Sequence, residues 1–104
     1  MVNNMNDNTI RQEYLICYDI EDDKARKLLF KYLRSAGLRH AQKSVFWGYL
    51  TKAELIAIQR HIEKTIDEID KVLITRTNFN QRGYSYLFGY RENVFEDWSD
   101  HCVI

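Results

Sequence analysis

Twice along this chain a short apolar strand pattern gives way to a helical one, and that double switch limits the folds open to it. The run Tyr14-Leu15-Ile16-Cys17-Tyr18 leads straight into the carboxylate of Asp19. From Tyr14 to Ile20 both alternating faces are apolar, as in a central strand covered on both sides or held at a dimer interface. Asp22 then supplies an N-cap and Asp23 an acid for the first turn, which predicts a helix over 23–36. Ala25, Leu28, Leu29, Tyr32, Leu33 and Ala36 recur at helical spacing as its buried stripe, and Gly37 provides the stop.

The second switch follows a second strand pattern. Arg39 to Phe46 reads as a strand, with Gly48 permitting a sharp change of direction into a short Tyr49-Leu50 strand. Thr51 caps the next helix and Glu54 stands three residues on, as in a capping box. Leu55, Ile58, Ile62, Ile66 and Ile69 form its apolar stripe, and Lys71 to Thr77 is another strand. The order strand, helix, strand, strand, helix, strand predicts an α+β, ferredoxin-like (β-α-β-β-α-β) domain. Both helices lie on one face of a four-stranded antiparallel sheet.

The 104 residues suffice for one domain, divided into a flexible N-terminal extension (1–12), the ferredoxin-like unit (13–78) and a tail (79–104). In the tail, Asn80 to Gly83 reads as a turn. Tyr84, Tyr86, Phe88 and Tyr90 then alternate with Ser85, Leu87 and Gly89, predicting an extra C-terminal strand with an aromatic face. A small sheet has no room inside for such a face, so it is expected to pack on a partner protomer, with Phe95 and Trp98 as anchors.

Charge narrows the function. The chain is neutral overall, yet eight of its fifteen Lys and Arg residues fall between Lys24 and Ala53, where there is no Asp or Glu. A polyanion feels the local field of a surface rather than the net charge, so this segment is a candidate phosphate-binding surface. Lys24, Lys27, Lys31 and Arg34 share one helix face, with Arg39 and Lys43 following. The RNP sequences of an RRM are absent, so binding is expected to be directed to the DNA or RNA backbone and weakly sequence-selective.

Asp19 is the candidate for chemistry. A carboxylate directly after an apolar strand stands at the edge of a sheet, where it either caps the loop into the helix or reaches a ligand. One carboxylate holds Mg²⁺ weakly, but a residue near a twofold axis occurs twice, and two facing carboxylates favour a divalent cation between them. Glu21, Asp22 and Asp23 extend the acidic cluster but stand where helix-start acids are common. No HExxH, CxxC pair or Walker glycine loop is present. His61 is expected at the surface of the second helix. Cys17 and Cys102 read as free thiols of a reducing compartment. Met1 to Gln12 lacks the apolar core of a signal peptide, and with no apolar run near membrane-spanning length, a cytoplasmic protein with no membrane partner is expected.

Tyr18-Asp19-Ile20, the helix start Asp23-Lys24-Ala25-Arg26-Lys27-Leu28, and above all Gly37-Leu38-Arg39-His40-Ala41-Gln42-Lys43-Ser44-Val45-Phe46-Trp47-Gly48 resemble the CRISPR-associated family-two proteins. These are small ferredoxin-like dimers that accompany the CRISPR integrase. The resemblance implies a homodimer with the two Asp19 side chains facing each other around Mg²⁺ or another divalent cation such as Mn²⁺. Tyr18, Arg26 and Phe46 match positions near the family's active site. It implies a role in spacer acquisition beside the integrase subunit (family one), with metal-dependent endonuclease activity on RNA or DNA. The alternatives are a non-catalytic DNA-binding scaffold between integrase dimers and a toxin-type ribonuclease dimer. The chain departs from the usual family pattern at Leu28, His40 and Trp47.

Overall fold

The computed structural model describes residues 10–79, 85–90 and 94–95. Its elements are β1 (Gln12–Asp19), α1 (Asp23–Ser35), β2 (Arg39–Gln42), β3 (Val45–Leu50), α2 (Lys52–Thr65) and β4 (Lys71–Arg76). The four strands form one antiparallel sheet in the order β2-β3-β1-β4, the α+β ferredoxin-like topology that the alternating pattern predicts. β1 is therefore central, as its two apolar faces require.

Local signals set the helices. Asp22 accepts from the Ala25 N–H at 2.9 Å and opens α1. At the other end Gly37, with φ of +90°, closes it: the Gly37 N–H bonds to the Arg34 carbonyl and the Leu38 N–H to that of Leu33, a Schellman motif. Thr51 and Glu54 form the predicted reciprocal capping box on α2.

Both helices pack on the sheet face carrying Ile16, Tyr18, Phe46 and Leu50, and with Leu29, Leu33, Leu38, Ile58 and Ile62 these residues make the core. Two predicted stripe members lie outside it. Leu28 is half exposed among the α1 lysines, and Ile69 is exposed because α2 ends at Thr65, four residues before it. His61 is also placed differently from the expectation. Its ring stacks flat on Tyr32 of α1 at 3.9 Å, and its Nε2 is buried, so it belongs to the helix–helix contact and not to the surface.

The predicted long second strand is two strands. The chain reverses at Lys43-Ser44, not at Gly48, and Ser44 takes a φ of +62° with no glycine or asparagine to announce the turn. Gly48 instead lies in mid-β3. A Cβ there would come within 2.7 Å of the Leu38 Cδ2, so the glycine makes room for the chain leaving α1.

Among the described residues, no helix lies on the opposite sheet face. Leu15, Cys17, Val45 and Leu73 are partly or largely accessible on it, and the described part of the tail covers the end around Trp47. There the buried Phe95 packs against Trp47, Phe79 and Tyr90 at 5.5, 4.7 and 5.2 Å. Phe95 thus anchors the tail as expected, whereas Trp98 falls outside the described residues. The predicted aromatic strand is not a strand of this chain over residues 85–90, and Tyr84 lies outside the described residues. Gly89, at φ +82°, turns the backbone between Phe88 and Tyr90. Tyr86 and Phe88 consequently stay exposed, while Tyr90 turns in to pair with Gln42 and Phe95.

Candidate active site and nucleic-acid interface

Asp19 is the last residue of β1 and is exposed on the helix-free face. Antiparallel pairing brings the start of β4 to the end of β1, so Asp19 stands opposite Lys71 and Cys17 opposite Leu73. A groove of about 270 Å³ runs here, lined by Cys17, Tyr18, Asp19, Lys71, Val72 and Leu73. Burial pushes the Cys17 thiol above its ordinary range, which leaves it protonated and a poor nucleophile or metal ligand at neutral pH. Among the described residues of one chain, no group of three or more His, Cys, Asp or Glu side chains could hold a metal ion.

The loop after Asp19 is fixed from two directions. Arg26 donates from Nη1 to the Ile20 carbonyl at 2.9 Å, and its Nη2 pairs with the Asp23 carboxylate. From the other side, Asp70 accepts the Glu21 N–H at 3.0 Å and the Asp67 N–H at 2.9 Å. Those two backbone donors hold the Asp70 carboxyl below its ordinary value. Asp70 was not among the residues singled out from sequence, because no local signal ties position 70 to position 21.

A second cleft, of about 190 Å³, opens between α1 and the β2–β3 turn. It is lined by Tyr18, Arg26, Lys27, Phe30, His40, Lys43 and Ser44. Four residues picked from sequence meet here: Tyr18, Arg26, Lys27 and Lys43. Tyr18 lines both clefts. Burial raises its phenol above the ordinary value, partly offset by the positive charge of Arg26, so it remains a neutral hydroxyl. Phe46 is fully buried, stacked against Tyr18 at 6.3 Å and edge-on to Phe30 at 5.3 Å. It shapes the cleft from below and offers no surface to a ligand.

The remaining basic residues divide between the two sides of the sheet. Lys24, Lys27, Lys31 and Arg34 are all exposed along α1, Arg34 over the ring of Phe30 at 5.9 Å. Arg39 lies on the opposite side. It pairs in register with Trp47, stands over that ring at 5.5 Å and donates to the Val94 carbonyl at 3.2 Å. Arg39 therefore holds the tail, and the structure does not bring it to the α1 surface.

The helix-free face also contains a buried carboxylate with no counterpart in the sequence reading. Glu13 accepts the Trp47 Nε1–H at 3.0 Å, the Thr77 hydroxyl at 2.6 Å, the Phe79 N–H at 2.9 Å and the Tyr49 hydroxyl at 3.3 Å. It joins β1, β3 and the segment leaving β4.

Comparison with known proteins fits this arrangement. Residues 12–83 match the family model described as CRISPR associated protein Cas2. The chain belongs to the Cas2 family. It is 48% identical over 92 residues to the protein named CRISPR-associated endoribonuclease Cas2 1 of Francisella tularensis subsp. novicida, covering 88% of this chain and 95% of that one. A protein of Thermofilum pendens named CRISPR-associated endoribonuclease Cas2 is 30% identical, with 75% of this chain and 84% of that one covered. Among solved structures, a Cas2 crystal structure superposes with a TM-score of 0.59 at 28% identity, over 64% of this chain and 75% of that one. A hypothetical protein from Thermus thermophilus superposes with a TM-score of 0.61 at 30% identity, over 66% of this chain and 84% of that one. No helix among the described residues is long and apolar enough to cross a membrane.

Proposed function

We propose that this Cas2-family chain acts as a homodimer in CRISPR spacer acquisition, beside the integrase subunit, and hydrolyses phosphodiester bonds in RNA or DNA with a divalent cation held between two Asp19 side chains. The observation that carries the reading is the position of Asp19. It is exposed at the rim of a sheet face that no helix among the described residues covers and that displays Leu15, Cys17, Val45 and Leu73. Stacking two such faces about a twofold axis covers the apolar side chains and brings the two carboxylates to one place. A half-site in each chain then becomes a whole one.

Mg²⁺ or Mn²⁺ bound there supplies an acidified water and neutralises charge on a phosphate oxygen. The chain's own residues do the rest. Asp19 from each protomer holds the charge, while Arg26 and Asp70 keep the loop behind it rigid. Lys24, Lys27, Lys31 and Arg34 attract the nucleic-acid backbone along α1. Hydrolysis adds water across one P–O bond, and the proton ends on the leaving oxygen or the phosphate. The names of the curated relatives favour RNA as a substrate.

A second reading draws on a different observation. A site with one carboxylate per chain is a thin ligand set, whereas the α1 surface is long and carries no acid between Lys24 and Ala53. A scaffold that holds duplex DNA without cutting it needs only that surface. One experiment separates the two: Mg²⁺-dependent cleavage of single-stranded RNA and duplex DNA by the wild type and by Asp19→Asn, with EDTA controls. The enzyme reading expects cleavage to vanish in Asp19→Asn while the dimer and duplex binding persist. Cleavage equal in both proteins would remove Asp19 from the mechanism and leave the scaffold.

A further inference from the structure

We infer that the cleft between α1 and the β2–β3 turn is a seat for a single backbone phosphate, and that His40 makes its occupancy proton-linked. The inference rests on the reading that the chain holds nucleic-acid backbone, and it adds where one phosphate goes and what controls it.

The cleft is made for an anion. Every polar residue lining it is a cation, a histidine or a neutral hydroxyl, and no carboxylate is among them. Lys27 comes from α1 and Lys43 from the turn, so both elements that bound the cleft supply an exposed ammonium-bearing side chain. Arg26 is already committed to the Ile20 carbonyl and to Asp23, so it contributes fixed positive charge more than free donors. The Ser44 hydroxyl is presented by the turn residue with φ of +62°, and Tyr18 offers a phenol that stays protonated. A volume of about 190 Å³ suits a phosphate group better than a whole nucleotide.

His40 is held in place by packing. Its ring meets Phe30 edge-on at 4.9 Å and lies tilted against Phe46 at 5.0 Å. A bulge between His40 and Gln42 shifts the register of β2 against β3. It lets His40 share the helix side with Phe46 while Gln42 pairs with Tyr90 on the other side.

The charged and titratable groups around His40 are Tyr18 from β1, Arg26 and Lys27 from α1, and Lys43 from the turn; Arg34 lies behind Phe30. A phosphate in the cleft places a negative charge beside the ring and favours the imidazolium. Binding therefore takes up a proton, and affinity rises as pH falls through the histidine range. A phosphodiester keeps its single negative charge throughout that range, so the proton goes to the protein.

The test uses the full chain. Binding of a fluorescein-labelled duplex and of a labelled single-stranded RNA is followed by anisotropy at constant ionic strength. Wild-type affinity is expected to fall about tenfold between about pH 5.5 and 7.5. His40→Gln should be flat at the weak level and His40→Arg flat at the strong one. Lys31→Glu, outside the cleft, should weaken binding yet keep the pH slope. A wild-type slope retained in His40→Gln or His40→Arg would overturn the proposal. Inorganic phosphate, titrated at one pH against the histidine NMR signals, supplies a separate readout: saturable shifts should appear at His40 and not at His61. A chain that binds no nucleic acid but shows those shifts refutes the backbone-holding function and keeps the phosphate seat. Absence of the phosphate shift at His40 refutes the seat even if nucleic acid binds elsewhere.

Discussion

The two faces of the sheet are built on different terms. On one, Ile16, Tyr18, Phe46 and Leu50 meet two amphipathic helices, and Leu29, Leu33 and Ile58 are sealed from solvent. On the other, the same strands present Leu15, Cys17, Val45 and Leu73 with no described helix above them, and the described part of the tail covers the Trp47 end. The first face is finished within one chain. The second is left open by the described residues, and Asp19 stands at its rim. A small domain with an open sheet face gives up stability in the monomer, and in the proposed dimer that face is where two identical carboxylates would meet.

The sharpest way to break this comparison is to truncate one leucine on each face. Leu33→Ala removes a fully buried side chain and should cost about 2–5 kcal/mol by chemical denaturation, at any protein concentration. Leu73 is 59% exposed. Leu73→Ala should cost the isolated chain less than about 0.5 kcal/mol yet weaken self-association in sedimentation experiments. Unchanged association in Leu73→Ala would place the dimer contact elsewhere and deprive the Asp19 pair of its support.

A smaller effect is expected at Glu13, the polar centre of the open face. Glu13→Ala leaves the Trp47 indole N–H, the Thr77 hydroxyl and the Phe79 N–H without their acceptor, at a cost of about 2–3 kcal/mol. The segment after β4 should become sensitive to limited proteolysis before the core unfolds. Protection equal to that of the wild type would show that the aromatic cluster around Phe95 holds the tail without help from Glu13.

The smallest effect concerns Asp70, at the end of the sheet where the two faces meet. Its folded-state value is lowered by the Asp67 and Glu21 N–H groups, so its contribution is fully present above the ordinary value near 3.8. That contribution is lost as pH falls through the lowered value. Thermal midpoints followed from about pH 5 to about pH 2 should decline less steeply in Asp70→Asn than in the wild type. Parallel curves would mean that the loop behind Asp19 is held by Arg26 and Asp22 alone.

Much of this architecture was legible in the chain because its causes are local. The period change after Asp19, the Asp22 cap, the Thr51–Glu54 box and the Gly37 stop each act within a few residues, and together they give the element order. Candidate chemistry was legible on the same terms: Asp19 follows an apolar strand, and the acid-free run from Lys24 to Ala53 is a property of composition. The turn at Lys43-Ser44 was not, since serine carries no strong preference for positive φ, and the glycine five residues after Lys43 drew the reversal to itself. The role of that glycine depends on Leu38, ten residues earlier, which approaches Gly48 only after α1 has packed. His61 was misplaced for the same kind of reason, since Tyr32 belongs to another helix.

By itself, then, the sequence determined the strand–helix order of the domain, where α1, α2 and β4 begin, and which carboxylate and which cations stand near the β1–α1 junction. These follow from steric preference, capping and hydrophobic period, all of which operate over one or two turns of chain. Only the tertiary structure decided that Lys71 faces Asp19 and that Glu13 gathers donors from β3 and the segment after β4. It alone decided that Arg39 belongs with Trp47 and the tail, and that His40 joins Lys27 and Lys43 around one cleft. Each of those pairings depends on strand register and on how the helices pack over the sheet, and register is a property of two strands at once.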